Sequence, residues 1–274
     1  MKTFSKKRLR NVGISITSSV IFFTVASLNA QNNTDGVRLF QSFFYDTPIS
    51  ERPFVQGGLQ YSKYEHFSML DIGAMGGYGI NEKIEVQAGW SFVNFSPEEG
   101  DGKSGISDLA LVGRYKLANS GPTNFATGAM ITLPIGSDKV GGGNLNFGGF
   151  GAVRHALDNG LILCGTLGLF FYETTSSALE QTGTDEWGLP IYETDKSTKH
   201  ETSLNIGAGA IYPINEQLNL VGELFMQSEG DYMMLSGGVD YNLGSGRIRG
   251  ALGLGLDDGA PDIKIMGGYL LTLK

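Results

Sequence analysis

The stretch GISDLALVGRYKLA, residues 105–118, decides the fold. Successive side chains of an extended strand point to opposite sides. Leu109, Leu111, Gly113, Tyr115 and Leu117 therefore share one face, and Asp108, Ala110, Val112, Arg114 and Lys116 share the other. A soluble sandwich turns such leucines into its core. A transmembrane barrel turns them to lipid and sets the charges around an aqueous lumen. The rest of the chain chooses between the two.

The same alternation recurs in twelve segments, at 53–64, 67–80, 84–95, 105–118, 124–135, 144–156, 161–173, 203–213, 218–227, 232–243, 247–256 and 262–273. Each runs about 10 to 14 residues, and a tilted strand crossing a bilayer needs about 9 to 11. Globular strands are usually about 5 or 6. The connections alternate as well. Odd segments end in long polar linkers such as SPEEGDGKS, GSDKVGGGN and the stretch from Thr174 to Thr202, whereas even segments end in tight turns such as INEK, LDNG and GSG. Short turns on one rim and long loops on the other are the asymmetry of an outer-membrane barrel. Both termini then lie on the short-turn, periplasmic side.

Aromatic residues sort by segment parity. Tyr78, Tyr115, Tyr212, Tyr241 and Tyr269 sit on the leucine face near short-turn ends, and Trp90, Phe92 and Phe171 sit on it toward the long-loop ends. Two such bands are what the two membrane–water interfaces select. A soluble core has no reason for this sorting, so the leucine face meets lipid.

The opposite face becomes the lumen. Its candidate pore-lining residues are Asp108, Arg114, Lys116, Arg154, Glu223, Asp240, Arg249 and Lys264, with Asp71 and Glu85 on the same face. They read either as ion pairs that hold the barrel together or as a ladder that sets selectivity. Twelve strands about 4.8 Å apart and tilted about 40° give a backbone diameter of roughly 24 Å. The inward glycines Gly89, Gly128, Gly148, Gly168, Gly207 and Gly253, with Ala110, read as open space or as relief of curvature. The loop 174–202 carries Trp187, Pro190, Ile191 and Tyr192, a candidate lid over the mouth.

Residues 1–30 read as a secretory signal peptide: a basic start, MKTFSKKRLR, an apolar stretch, and a small residue at Ala30. Cleavage there makes a chain of net charge −8 more acidic still. That excludes nucleic acid as a partner. The division is then signal peptide 1–30, periplasmic N-terminal segment 31–52, and transmembrane barrel 53–274. The segment carries an apolar patch at Leu39, Phe40, Phe43 and Phe44, suited to a short periplasmic helix or to an inserted plug. Cys164 is the single cysteine and forms no internal disulfide. The outer loops hold many more Asp and Glu than Lys, which would bridge to lipopolysaccharide through divalent ions or simply solvate the rim.

The sequence offers little chemistry. His66, His155 and His200 have no serine and acid at a recognisable spacing, and no cluster has metal-ligand spacing. GGGNLNFGG, 141–149, opens a strand rather than a helix, so it lacks the means to cradle a phosphate. The expectation is no enzyme, no cofactor and no metal.

Several motifs together resemble the outer-membrane barrels of the MetA-pathway of phenol degradation family. They are ERPFVQGGLQYSKYE, GISDLALVGRYKL, NFATGAMITLPIGS and GLGLDDGAPDIKIMGGYLL, and within them Ser107-Asp108, Pro134 with Gly136, and the run 258–262. The resemblance implies a monomeric barrel passing small, often aromatic, compounds, and carries over no functional residue. The chain departs from the usual terminal aromatic in ending YLLTLK. The expected function is passive passage of small solutes, aromatic or hydrophobic ones included, through the outer membrane of a Gram-negative-type bacterium. Outer-membrane lipid and lipopolysaccharide would be its surroundings. A structural or adhesive barrel with a plugged lumen and ligand-binding loops is the alternative, and a lipid-hydrolysing rim enzyme a third.

Overall fold

The alternating segments are the strands of a computed structural model, which describes residues 36–137, 140–141, 143–184 and 190–273. In chain order they are β1 (Phe54–Lys63), β2 (Phe67–Asn81), β3 (Ile84–Pro97), β4 (Lys103–Ile106), β5 (Leu109–Ser120), β6 (Thr123–Leu133) and β7 (Asn146–Ala156). There follow β8 (Ile162–Thr184), β9 (Pro190–Pro213), β10 (Leu218–Gln227), β11 (Tyr232–Asn242), β12 (Gly246–Gly255) and β13 (Ile263–Thr272). The expected signal peptide and Trp187 lie outside the described residues.

Each strand pairs antiparallel with its neighbours, and β13 pairs with β1 along its whole length, from Phe54↔Thr272 to Lys63↔Ile263. Closure joins the two ends of the sheet, where hydrocarbon would not tolerate rows of unpaired N–H and C=O groups. β4 and β5 share one place in the wall: β3 pairs with β4 through Phe92–Phe95 and with β5 through Ile84–Gly89. The barrel thus has twelve positions. All-round pairing forces the two-residue period onto every strand, so Leu117, Leu220 and Ile265 stand outside at 53%, 43% and 46% exposure while Arg114 is buried at 1%. The greasy side faces out.

Asparagines shape the short turns. Asn81 Oδ1 accepts from Lys83 and Ile84 N–H at 2.9 and 3.0 Å, and Asn215 Oδ1 accepts from Gln217 and Leu218 N–H at 2.9 and 2.8 Å. A side-chain carbonyl bonded to the backbone two and three residues on mimics a turn and fixes the reversal. Gly160 and Gly244, at φ of 84° and 86°, supply the left-handed geometry.

Two expectations need correction. The segment 105–118 is not one strand but is broken at Ser107–Asp108. There Ser91 N–H donates to the Ser107 hydroxyl at 2.8 Å in place of a ladder carbonyl, and Asp108 Oδ1 accepts from Gly136 N–H at 2.9 Å. A Cβ at Gly136 would come 2.7 Å from Asp108 Oδ1, so only glycine fits. The second concerns the stretch 174–202, read as a loop, which continues β8 and β9 as a paired hairpin out to Thr184↔Pro190. Pro190, Ile191 and Tyr192 are strand residues within it.

Candidate functional site

Residues 36–52, for which the sequence leaves a periplasmic helix or an inserted plug open, run inside the barrel. Val37 and Leu39 are fully buried and pack on Ile162, Cys164, Ile211 and Val221, an apolar patch on the inner faces of β8, β9 and β10. Phe43, in a single turn of 3-10 helix (Phe43–Tyr45), packs on Phe54 and Leu270. Tyr45 leans on Phe150 and Phe170, each 5.2 Å between ring centres.

Polar contacts fix the segment in place. The Glu223 carboxylate accepts from the backbone N–H groups of Phe40, Gln41 and Ser42 at 2.9, 2.7 and 2.7 Å, and from the Ser42 hydroxyl at 2.5 Å. Three consecutive amides converging on one carboxylate form an anion-binding concavity. Arg154 Nε donates to Asp46 Oδ1 at 2.7 Å and its Nη2 to the Val37 carbonyl at 2.7 Å. Arg114 donates to the Asp46 carbonyl at 3.0 Å and pairs with Glu85. Arg38, from the segment itself, reaches the same Glu85 at 3.3 Å. Arg249 donates to the Leu39 carbonyl at 3.2 Å and pairs with Asp240 at 3.1 Å, while Arg247 takes the other oxygen of Asp240 at 2.6 Å. Asp46, Glu85, Glu223 and Asp240 thus face five arginines, all of them buried. Buried charges persist only where they are paired and hydrogen-bonded.

Of the eight candidate pore-lining residues, Arg114, Arg154, Glu223, Arg249 and Lys264 touch the inserted segment, and Asp240 supports Arg249. Lys264 Nζ lies 3.0 Å from the Tyr232 hydroxyl and 3.5 Å from Gln41 Oε1. Lys116 is half-buried in β5, away from this cluster, and Asp108 serves the wall break. Arg38 and Asp46 were not among the candidates read from the sequence. Both lie in a stretch with no regular period, and the only clue was two opposite charges flanking an apolar patch.

The inward glycines do not simply leave space. A Cβ at Gly128 or Gly148 would come 2.3 or 2.1 Å from the rings of Phe150 or Phe170, so those glycines make room for inward phenyls. On the opposite wall a cavity of about 380 Å³ does remain. It lies between Phe40, Phe43 and Phe44 of the inserted segment and the wall of β13, β1, β2 and β3, where Gly58, Gly73, Gly89 and Gly268 present little but backbone. Ligand pockets commonly begin at about 300 Å³.

The girdle residues Tyr78, Tyr115, Tyr212, Tyr241, Tyr269, Trp90, Phe92 and Phe171 are all exposed on the outer wall. Phe171 pairs with Phe147, ring centres 5.3 Å apart. The histidines sit on different elements. His155 Nδ1 is 2.7 Å from the Thr123 hydroxyl on the outer wall, His200 lies beside Glu173 at 3.4 Å, and His66 is in the β1–β2 turn.

A closed twelve-position antiparallel barrel, apolar outside and ionic within, is an outer-membrane β-barrel. Among solved structures the chain is similar to the COG4313 outer membrane channel from Pseudomonas putida F1, with a TM-score of 0.66 and 12% identity over 86% of this chain and 100% of that one. It is also similar to the KdgM porin, at TM-score 0.51 and 7% identity over 80% of this chain and 99% of that one. A second KdgM structure, in complex with disordered oligogalacturonate, gives TM-score 0.50 and 8% identity over 80% and 99%. At these identities the likeness is one of fold. No protein-family model and no curated protein sequence matches the chain.

Proposed function

We propose that the protein is an outer-membrane channel for passive passage of small solutes, aromatic and hydrophobic ones among them. The cavity of about 380 Å³, set inside a closed barrel and walled by aromatic rings, bare backbone and a few polar side chains, Arg249 among them, carries the reading. A channel and a porin share the architecture. The motif resemblance to the MetA-pathway of phenol degradation family agrees with it. The exposed aromatic bands would mark the two interfaces, and the basic, apolar start would be a leader removed on export. The surroundings are outer-membrane lipid and lipopolysaccharide, the barrel is monomeric, and no catalytic role is assigned.

Passage requires residues 36–52 to shift, because they occupy the periplasmic half of the lumen. The test is liposome swelling with single-ring solutes, on the full chain and on Glu223→Ala, which frees three backbone amides of the segment. Flux is expected in the parent and more in the variant. The filled lumen also favours a second reading, a structural or adhesive barrel acting through its long β8–β9 hairpin. No flux from either protein would select it.

A further inference from the structure

We infer that the lumenal cavity is a binding site for a single-ring organic anion of the benzoate type, its carboxylate on Arg249 and its ring against Phe40, Phe43 and Met266. The inference deepens the channel reading by naming a class of solute.

Arg249 lines the cavity. Its Nε is taken by Asp240, and its Nη2 by the carbonyls of Arg38 and Leu39. Its Nη1 makes no hydrogen bond among the described residues, so two N–H groups remain for a ligand. The guanidinium carbon lies 4.8 Å from the Phe40 ring centre and 5.4 Å from that of Phe43, which holds its plane. The same rings line the cavity, so a ligand ring meeting them would bring its acid group to Arg249.

Charge argues in the same direction. The cluster that holds the inserted segment has five buried arginines against four buried carboxylates, and Arg249 is the one of the five that lines the cavity. Lys264 and Asp71, nearer the outer end, offset one another. Asp71 and Asp108 line the outer part of the cavity, and Asp71 Oδ1 is buried there without a partner. Carboxylates line that end and a guanidinium the other, which sets the orientation: acid group inward and ring toward the outer mouth. An Arg–carboxylate contact is also the strongest hydrogen bond on offer to a small ligand.

The test is calorimetric titration of the detergent-solubilised full chain with sodium benzoate, benzyl alcohol and benzylamine, each of similar size. Benzoate is expected to bind saturably and at least tenfold more tightly than the other two. Arg249→Gln should weaken benzoate at least tenfold. That residue also holds the inserted segment, so a second variant is needed. Ala110→Phe fills the cavity from β5 without touching those contacts, and should abolish binding while the barrel keeps its heat-modifiable migration on gels. Equal binding of the alcohol, tighter binding of the amine, or unchanged benzoate affinity in Ala110→Phe would each overturn the assignment. Liposome flux is read separately. Binding without flux removes the channel and keeps the site, and flux without benzoate binding removes the site and keeps the channel.

Discussion

The two walls of this barrel are both rich in inward glycine and use it in opposite ways. On β6, β7 and β8, Gly128, Gly148 and Gly168 lie under Phe150 and Phe170, and Tyr45 of the inserted segment completes the stack. On β13, β1, β2 and β3 the Phe54 ring lies over Gly77, but no ring of the wall lies over Gly58, Gly73, Gly89 or Gly268, and the cavity lies there. The segment packs along the first wall and meets the second only in part, through Phe43 on Phe54 and Leu270 and Arg38 on Glu85, and the cavity lies in what is left. Glycine on an inner face therefore means room, and the neighbouring residues decide who occupies it.

The largest effect that would break this contrast is loss of the segment itself. Asp46→Ala leaves Arg154 buried without its carboxylate, and losing one partner of a buried pair costs about 3–5 kcal/mol. Residues 36–52 should become protease-sensitive and conductance should rise; an unaltered digest would mean that apolar packing alone holds them. Smaller effects compare the walls directly. Gly148→Ala puts a Cβ 2.1 Å from the Phe170 ring and should destabilise the barrel by about 1–3 kcal/mol in thermal melting. Gly73→Ala meets nothing nearer than 3.7 Å and should stay within about 0.5 kcal/mol. Equal losses at the two positions would erase the difference between the walls.

The smallest effect lies on the outer rim. Glu98, held by the Lys63 ammonium at 2.9 Å, keeps its carboxyl below the usual carboxylate range, by that hydrogen bond first and then by charge attraction. Whatever stability the pair adds is present above the ordinary glutamate pKa and is lost as pH falls through the lowered one. The pair is exposed, so Glu98→Gln should not move the melting temperature at neutral pH.

Strand positions were legible because a membrane wall forces one face to be apolar, and β10 at Leu218–Gln227 falls where its alternation places it. The break at Ser107–Asp108 was hidden because the two-residue period runs through it, and its cause, Gly136, is distant in sequence. The motif 258–262 has a similar role. A Cβ at Gly259 would strike the Gly230 carbonyl at 1.5 Å, so this loop docks on the β10–β11 turn. The outer halves of β8 and β9 looked like loop because pairing beyond the bilayer needs no apolar face, although Thr174, Thr175, Ser176 and Ser177 are tolerable strand residues. Arg38 and Asp46 were missed for another reason. Their partners lie on β3, β5 and β7, and no local pattern points that far.

The contact between Arg249 and the Leu39 carbonyl spans 210 positions of the chain, and that between Glu223 and Ser42 spans 181. Residues 36–52 therefore find these partners only once nearly the whole chain has been made. Such long-range closure is slow. Until β12 and β13 are in place, the four aromatic rings within residues 36–52 lack part of the wall that covers them, which makes the segment the last piece of this barrel to become settled.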